Sequence, residues 1–124
     1  MANYYVPLKD LEVYQLARKF SRKAWTIYEG LSWKDQKIMG DQFIESADSV
    51  GSNIAEGYAR YHYRDKVKFY YYSRGSLSES CNHWLELLYE RERISHTSFE
   101  DIKDLQKEIE IRLNNFISST MKNT

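Results

Sequence analysis

The sequence predicts an all-α protein, an antiparallel up-down-up-down four-helix bundle. Three observations support this fold class: apolar residues recur at helical spacing over four long stretches, the 124 residues contain one proline, and the connections between the stretches are short. Short connections make consecutive helices antiparallel neighbours. The length suits one domain, so residues 1–124 are expected to form a single bundle, with residues 1–8 and 121–124 frayed.

The first two helices are predicted from apolar residues spaced three and four apart. The first spans about residues 9–29, and Gly30 is expected to end it in a left-handed turn. The second begins near Ser32, whose hydroxyl can cap it together with Asp35, and ends at Gly57, which is expected to take a positive φ. Gly51 lies inside this helix and is expected to pack tightly. The two apolar rows are Val13, Leu16, Ala17, Phe20, Ala24 and Ile27, and Met39, Phe43, Ala47, Val50 and Ile54.

The third and fourth helices follow from the same periodicity. The third spans about residues 62–89, and its small residues Gly75 and Ser76 are predicted to form a notch that receives a neighbouring helix. The fourth begins at Thr97, where Thr-Ser-Phe-Glu forms a capping box. The third apolar stripe is predicted to contain Phe69, Tyr72, Ser76, Ser80 and Leu87, with Trp84 and Leu88 beside it, and the fourth Ile102, Leu105, Ile109, Leu113, Phe116 and Thr120.

Composition limits the cellular context and the partners. The formal net charge is +0, which favours neither nucleic acid nor membrane in bulk. A single cysteine, Cys81, cannot form an internal disulfide and fits a reducing compartment. The chain also lacks a long apolar run and a basic, apolar leader, so a cytoplasmic protein without membrane partners is expected. The charge alternates along the chain, at +3, −4, +4 and −3 for residues 1–34, 35–57, 58–74 and 75–124, so oppositely charged elements could attract within or between chains.

Enzymatic patterns are missing from the sequence. A di-iron bundle needs Glu-x-x-His motifs on two helices, and none of the three histidines follows a Glu at that spacing. Glu79, His83 and Glu86 share a helix face, which is interpreted as a solvated surface. Cys81 and His83 lie two residues apart and hence on different faces, and no glycine-rich phosphate loop is present. We therefore predict no enzymatic activity, no catalytic residues, no metal site and no cofactor.

Asn53 and Glu56 at the end of the second helix have two interpretations. They could form a polar functional site. The favoured interpretation is structural, because buried polar pairs can fix helix register. Asn53 would bond to the backbone of an adjacent helix or turn. Glu56 would pair with Arg60 or Arg74, or contact backbone N–H groups at the start of the next helix. With Gly57, Gly75 and Ser76 they form the predicted structural motif.

Basic and aromatic residues alternate over residues 58–74. Cations could neutralise phosphates there while rings stack on unpaired bases. Tyrosine and arginine are also enriched at protein–protein contacts, and we favour a protein interface over RNA. The candidate residues are Arg60, Arg64, Lys66, Lys68, Arg74, Tyr61 and Tyr63, with a second basic cluster on the first helix that includes Arg18 and Arg22.

Three segments resemble one protein family. Residues 10–17 (Asp-Leu-Glu-Val-Tyr-Gln-Leu-Ala) are similar to its opening motif, residues 49–57 (Ser-Val-Gly-Ser-Asn-Ile-Ala-Glu-Gly) to its central motif, and residues 74–79 (Arg-Gly-Ser-Leu-Ser-Glu) to its third-helix motif. This is the four-helix-bundle family of the 23S rRNA intervening-sequence proteins, to which the accessory variability determinant proteins are related. The resemblance implies a bacterial, cytosolic protein that assembles into rings, typically pentamers, and supplies no catalytic residues.

Eleven tyrosines and three tryptophans are more aromatic surface than a thin four-helix core can easily hide. We therefore expect a homo-oligomeric ring, with the pentamer favoured by the resemblance. The predicted function is a non-enzymatic, self-assembling scaffold or binding module. The alternative is an RNA-binding accessory protein, acting on ribosomal RNA or on reverse-transcriptase-associated RNA.

Overall fold

Four antiparallel helices form the bundle in the computed structural model, which describes residues 5–122. Helix α1 is Glu12–Gly30, preceded by a 3₁₀ turn at Leu8–Asp10. Helix α2 covers residues 33–58, as Trp33–Asp35, a π-helical segment Gln36–Gly40, and Asp41–Tyr58. Helix α3 covers residues 63–90, as Tyr63–Glu79, a π-helical segment Ser80–Trp84, and Leu85–Glu90. Helix α4 is His96–Met121.

The packing confirms the predicted all-α, up-down-up-down bundle. Helix α2 packs between α1 and α3, while α4 packs against α3 and α1. Helices α1 and α3 therefore lie on a diagonal of the bundle. This arrangement places the two predicted basic clusters, one on each of these helices, on different sides of the molecule.

Three of the four predicted apolar rows form the core. Helix α2 buries its complete predicted row, and α1 and α4 bury theirs apart from half-buried Leu16, Ile27 and Phe116. Burial of these side chains is the main favourable contribution to folding. Helical periodicity alone therefore sufficed to locate the core of these three helices.

The predicted stripe of α3 is wrong by about one residue. The residues buried on this helix are Val67, Tyr70, Ser73, Leu77, Ser80, Cys81, Leu85 and Leu88. Tyr72 is exposed, and Phe69 and Ser76 are only half-buried. Gly75 is exposed too, and no heavy atom lies within 4 Å of the position its Cβ would take. The predicted notch at Gly75 and Ser76 therefore does not receive a helix.

The small residue that brings α3 close to α2 is Ser73. Its side chain is fully buried, and its Oγ donates a hydrogen bond of 2.7 Å to the carbonyl of Val50. The small serine side chain completes its hydrogen bonding with the backbone of the neighbouring helix. A larger side chain at this position would hold the two helices apart. Ser73, and not Gly75, is thus the contact point between α2 and α3.

Gly57 allows a second close approach between the same helices. A Cβ at this position would lie 2.8 Å from the Tyr70 ring, 2.9 Å from the Cβ of Phe69 and 3.0 Å from the Lys66 carbonyl. The predicted positive φ is wrong, since no described glycine has one, and α2 continues to Tyr58. The same finding overturns the left-handed turn predicted at Gly30. Gly57 is needed because of the space that α3 occupies.

Helix ends follow the capping rules with one displacement. Ser32 Oγ accepts a hydrogen bond of 3.1 Å from the backbone N–H of Asp35, as predicted. Helix α4 begins earlier than predicted, because Ser95, and not Thr97, is its cap and accepts from the N–H of Ser98 at 3.1 Å. Of the segments expected to fray, residues 1–4 and 123–124 lie outside the described residues, while the carbonyl of Val6 accepts a hydrogen bond of 2.6 Å from Tyr58.

Candidate interaction surfaces

Asn53 and Glu56 are used within α2. The amide of Asn53 donates 2.9 Å to the carbonyl of Ser49 in its own helix, and not to an adjacent one. Glu56 forms an ion pair of 2.6 Å with Arg60, one turn further on, and both side chains are largely exposed. An exposed pair of this kind contributes about 0.3–0.5 kcal/mol to stability. The two side chains do not converge on a common polar site.

Most cations of the segment 58–74 are engaged within the chain. Arg60 also lies 4.7 Å above the Phe69 ring. Arg74 lies 4.8 Å above the Tyr71 ring and donates to Asn114 on α4 at 2.9 Å. These contacts hold both guanidinium groups against the bundle surface, so they offer less charge to an outside ligand.

Lys66 is directed inward. Its Nζ donates 2.8 Å to the carbonyl of Tyr58 and lies 5.2 Å from the Tyr58 ring. Partial burial lowers the pKa of this lysine. The ammonium thus joins the end of α2 to the start of α3, a structural role.

Two of the candidate cations of this segment and both of its candidate rings remain available. Arg64 and Lys68 are exposed one turn apart on α3, and Lys68 lies 5.9 Å from the Tyr72 ring. Tyr61 is 89% exposed in the connection before α3, next to the exposed Tyr63. These four residues form a compact remnant of the predicted basic–aromatic surface, at the end of the bundle where α2 meets α3.

A groove runs between α1 and α2, and it contains the other predicted basic pair. Its volume is about 660 Å³, with Arg18, Arg22 and Trp25 on the α1 side and Asp48 on the α2 side. Gly51 forms its floor, where a Cβ would sit 3.6 Å from that of Ala17. We call this cleft the α1–α2 groove. A Cβ at Gly51 would make only ordinary van der Waals contact, so this glycine is not the point of unusually close packing that the sequence predicted.

Aromatic residues line the same groove. Arg18 donates 3.0 Å to the Tyr14 hydroxyl and lies 5.7 Å from that ring. Trp25 is half exposed and stacks on Tyr28 at 5.3 Å between ring centroids. Sequence reasoning identified the two arginines and missed the groove. A signal was present, because Tyr14, Arg18, Arg22 and Trp25 recur at spacings of four and three and hence share one face.

The two carboxylates that share a face of α3 with His83 are bonded to other residues. Glu79 accepts a hydrogen bond of 2.9 Å from Trp84, and Glu86 pairs with Lys103 of α4 at 2.9 Å. Across residues 5–122, no group of three or more potential metal ligands converges. The arrangement at His83 is that of a surface held by ordinary polar contacts.

Cys81 faces the core. Its side chain is fully buried, and burial raises the pKa of the thiol to about 12. A nucleophilic cysteine requires the thiolate, which burial of this kind suppresses at neutral pH. The structure therefore favours a packing role for this residue.

The native protein is expected to resist thiol-specific reagents at Cys81. At pH 8, reaction with a chromogenic disulfide should be at least tenfold slower in the folded protein than in denaturant, because both access and ionisation are restricted. The absorbance of the released thiolate, followed over time in the native and in the denatured protein, gives the two rates. Rapid stoichiometric labelling of the native protein would show that α3 exposes Cys81 and that the assigned core is wrong.

The comparison with protein families is decisive for classification. Residues 9–115 match the family model described as 23S rRNA-intervening sequence protein. The chain belongs to this family. The match spans the predicted opening, central and third-helix motifs, which confirms the resemblance seen in the sequence.

A solved structure supports the same placement. This intervening-sequence protein resembles the crystal structure of a protein of unknown function from the S23 ribosomal protein family of Bacteroides thetaiotaomicron, with 27% identity and a TM-score of 0.77. The similarity covers 85% of this chain and 97% of the other. No curated protein matches this chain. Across residues 5–122, every helix is too short or too polar to traverse a lipid bilayer.

Proposed function

We propose that this intervening-sequence protein is a non-enzymatic helical bundle that assembles with itself and serves as a scaffold or binding module. One observation carries the proposal: large apolar side chains remain on the surface of the single chain. Trp33 is 74% exposed and Ile111 is 62% exposed, and Trp25 and Ile38 are each about half exposed. Large aromatic side chains are enriched in the buried cores of protein–protein contacts, and association would remove these side chains from water.

The chemistry of the reactive groups supports a non-enzymatic role. The thiol of Cys81 is buried, and the carboxylates beside His83 are bonded to Trp84 and Lys103. The α1–α2 groove is open, and the described titratable side chains that line it are Tyr14, Arg18, Arg22 and Asp48, with no histidine among them. Binding is the function that these groups support best.

A closed ring is the assembly we favour, and a pentamer is the size implied by the family resemblance. The alternating charges of successive segments provide attraction between unlike faces of neighbouring copies. Closed cyclic symmetry is also the common solution for soluble homo-oligomers.

The protein is expected to have a molar mass several times 14.9 kDa at micromolar concentration. Multi-angle light scattering behind a sizing column measures this directly. A dilution series from about 100 to 1 μM distinguishes a stable ring from weak association. A strictly monomeric mass over the whole series would refute self-assembly.

RNA binding is the second candidate, and one observation favours it. Arg64 and Lys68 remain exposed beside Tyr61 and Tyr63, a combination that can hold phosphates and stack bases. The site is small, however, because the other cations of the segment are held by the protein. We therefore rank it below self-assembly, and expect any RNA affinity to be weak and non-specific at physiological salt.

A charge-reversal pair separates the two candidates. Arg64→Glu with Lys68→Glu is expected to leave the weak affinity for ribosomal RNA fragments nearly unchanged in a gel shift. The matched control, Lys34→Glu with Arg91→Glu, makes the same charge change at exposed positions of the opposite end of the bundle. Tight, salt-sensitive binding that disappears in the first variant and persists in the control, with unchanged oligomer mass, would favour RNA as the partner.

A further inference from the structure

The arginines of the α1–α2 groove have no acidic partner. Arg18 and Arg22 are exposed one turn apart on α1, and neither forms an ion pair with any residue in 5–122. On the other side of the same helix, Lys23 and Glu12 are paired with α4. Within the described chain, the groove therefore presents two arginines that form no ion pair, next to the half-exposed ring of Trp25 and with the single carboxylate of Asp48 in its lining.

Helix α4 carries the complementary feature on its outer face. Glu100, Asp104 and Glu108 are exposed at successive turns, followed by Ile111 at the next turn. Within residues 5–122, none of these three carboxylates forms an ion pair or a side-chain hydrogen bond. Ile111 is 62% exposed at a position where solvent-facing helices normally carry polar residues. We call these four residues the α4 ridge.

We propose that the α4 ridge of one copy docks in the α1–α2 groove of the next copy. This inference rests on the proposed self-assembly and specifies its surfaces. The spacing agrees, because Arg18 and Arg22 are one turn apart, as are Asp104 and Glu108. Four residues correspond to about 6 Å along a helix, so both arginines can face a carboxylate at the same time.

The heights of the two surfaces along the bundle also agree. In a ring whose axis is parallel to the bundle, every copy lies at the same height. Two ion pairs set the height of α1 against α4: Lys23 meets Asp101 at 2.7 Å, and Glu12 meets Arg112 at 2.8 Å. Interpolating between them at 1.5 Å per residue places Arg18 and Arg22 level with roughly residues 102–106. That level lies within the span of the α4 ridge, so no vertical offset is required.

The other groups of the groove and of the ridge favour a helix over a phosphate as the occupant of the groove. Asp48 lines the groove and would repel a phosphate, whereas the exposed Lys107 beside the α4 ridge can pair with it. Ile111 lies at about the same height along the bundle as Tyr14, whose ring lines the groove and can contact it. The occupant that satisfies both arginines, Asp48 and Ile111 is a second copy of this chain.

This contact joins different surfaces on the two partners. A contact of this kind repeats from copy to copy and generates a ring when the rotation closes. Each copy then uses its α1–α2 groove once and its α4 ridge once. The basic–aromatic remnant on α3 takes no part and stays open to another ligand.

Charge reversal tests the contact. Arg18→Glu with Arg22→Glu, and separately Asp104→Arg with Glu108→Arg, are each expected to weaken self-association at least tenfold, measured as the midpoint of the dilution series in light scattering. All four positions are exposed, so helix content by circular dichroism should be unchanged. The chain that combines all four changes restores opposite charges in every contact and should regain the wild-type mass. Lys34→Glu with Arg91→Glu is the control and should assemble normally.

A crosslinking measurement gives an independent result. A chain carrying Arg22→Cys is mixed with a tagged chain carrying Asp104→Cys, and oxidation should give the heterodisulfide as the main product, because Cys81 is buried. If wild type is an oligomer while both double variants keep its mass and no heterodisulfide forms, this contact is wrong and self-assembly stands. A wild-type monomer would instead refute the proposed function itself.

Discussion

Replacing Tyr70 with alanine is expected to lower the free energy of unfolding by about 3–5 kcal/mol, the range for large aromatic truncations in cores. Tyr70 is 1% exposed and stands first among the largest fully buried side chains. Its ring lies 4.8 Å from that of Phe116 on α4 and against Gly57 on α2. Loss of the ring therefore leaves a cavity where three helices meet. Urea unfolding followed by circular dichroism measures the change.

Tyr70→Phe is the matched control, since it keeps the ring and removes the hydroxyl. It should cost far less than the alanine variant. Burial raises the pKa of Tyr70, so the fold favours the neutral phenol. The stability that results from this raised pKa is fully present below the ordinary tyrosine pKa of about 10, and it is lost as the pH rises above that value. The phenylalanine variant should therefore lose less stability above pH 10, and equal losses in the two proteins would contradict the assigned burial.

Gly57→Ala is expected to be destabilising even though alanine is the better helix former. Alanine gains about 1 kcal/mol of helix propensity. Its Cβ, however, would lie under 3.0 Å from both Tyr70 and Phe69, and 3.0 Å from the Lys66 carbonyl. Overpacking against backbone costs about 1–3 kcal/mol, because α3 must shift as a whole. Thermal unfolding should show a lower midpoint.

Gly75→Ala is the control for this prediction. Gly75 is also inside a helix, but open space surrounds the position of its Cβ. Only the helix propensity acts there, so the variant should gain about 0.5–1 kcal/mol. Stability changes of opposite sign in the two variants would separate the effect of packing from that of helix propensity. The same sign at both would show that α2 and α3 do not approach each other as described.

The sequence determined the helices, their order and most of the core. Apolar residues spaced three and four apart located the buried faces of α1, α2 and α4, because this periodicity depends only on residues within a turn or two of each other. The same local chemistry predicted the cap at Ser32. Motifs in three segments were sufficient to identify the family, which the match over residues 9–115 confirms.

Helix α3 shows where local information ends. Tyr70, Tyr71 and Tyr72 are chemically alike, so composition could not select the one that is buried. The π-helical segment Ser80–Trp84 also shifts the helical phase by one residue, which a regular period cannot reproduce. Upstream of this segment, the choice of Phe69 and Tyr72 in place of Tyr70 and Ser73 displaced the predicted stripe and produced a notch at Gly75 that does not exist.

The surfaces were decided by tertiary structure alone. The sequence grouped the cations of α1 and of segment 58–74 as similar candidates. The bundle engages Arg60, Lys66 and Arg74 through Glu56, the Tyr58 carbonyl and Asn114. Among the described residues, Arg18 and Arg22 of α1 form no ion pair. The role of Gly57 was likewise decided by residues of another helix. A pattern in sequence reports which residues share a helix face. Pairing, close approach and exposure depend on what the next helix places there, and that is fixed only when the bundle packs.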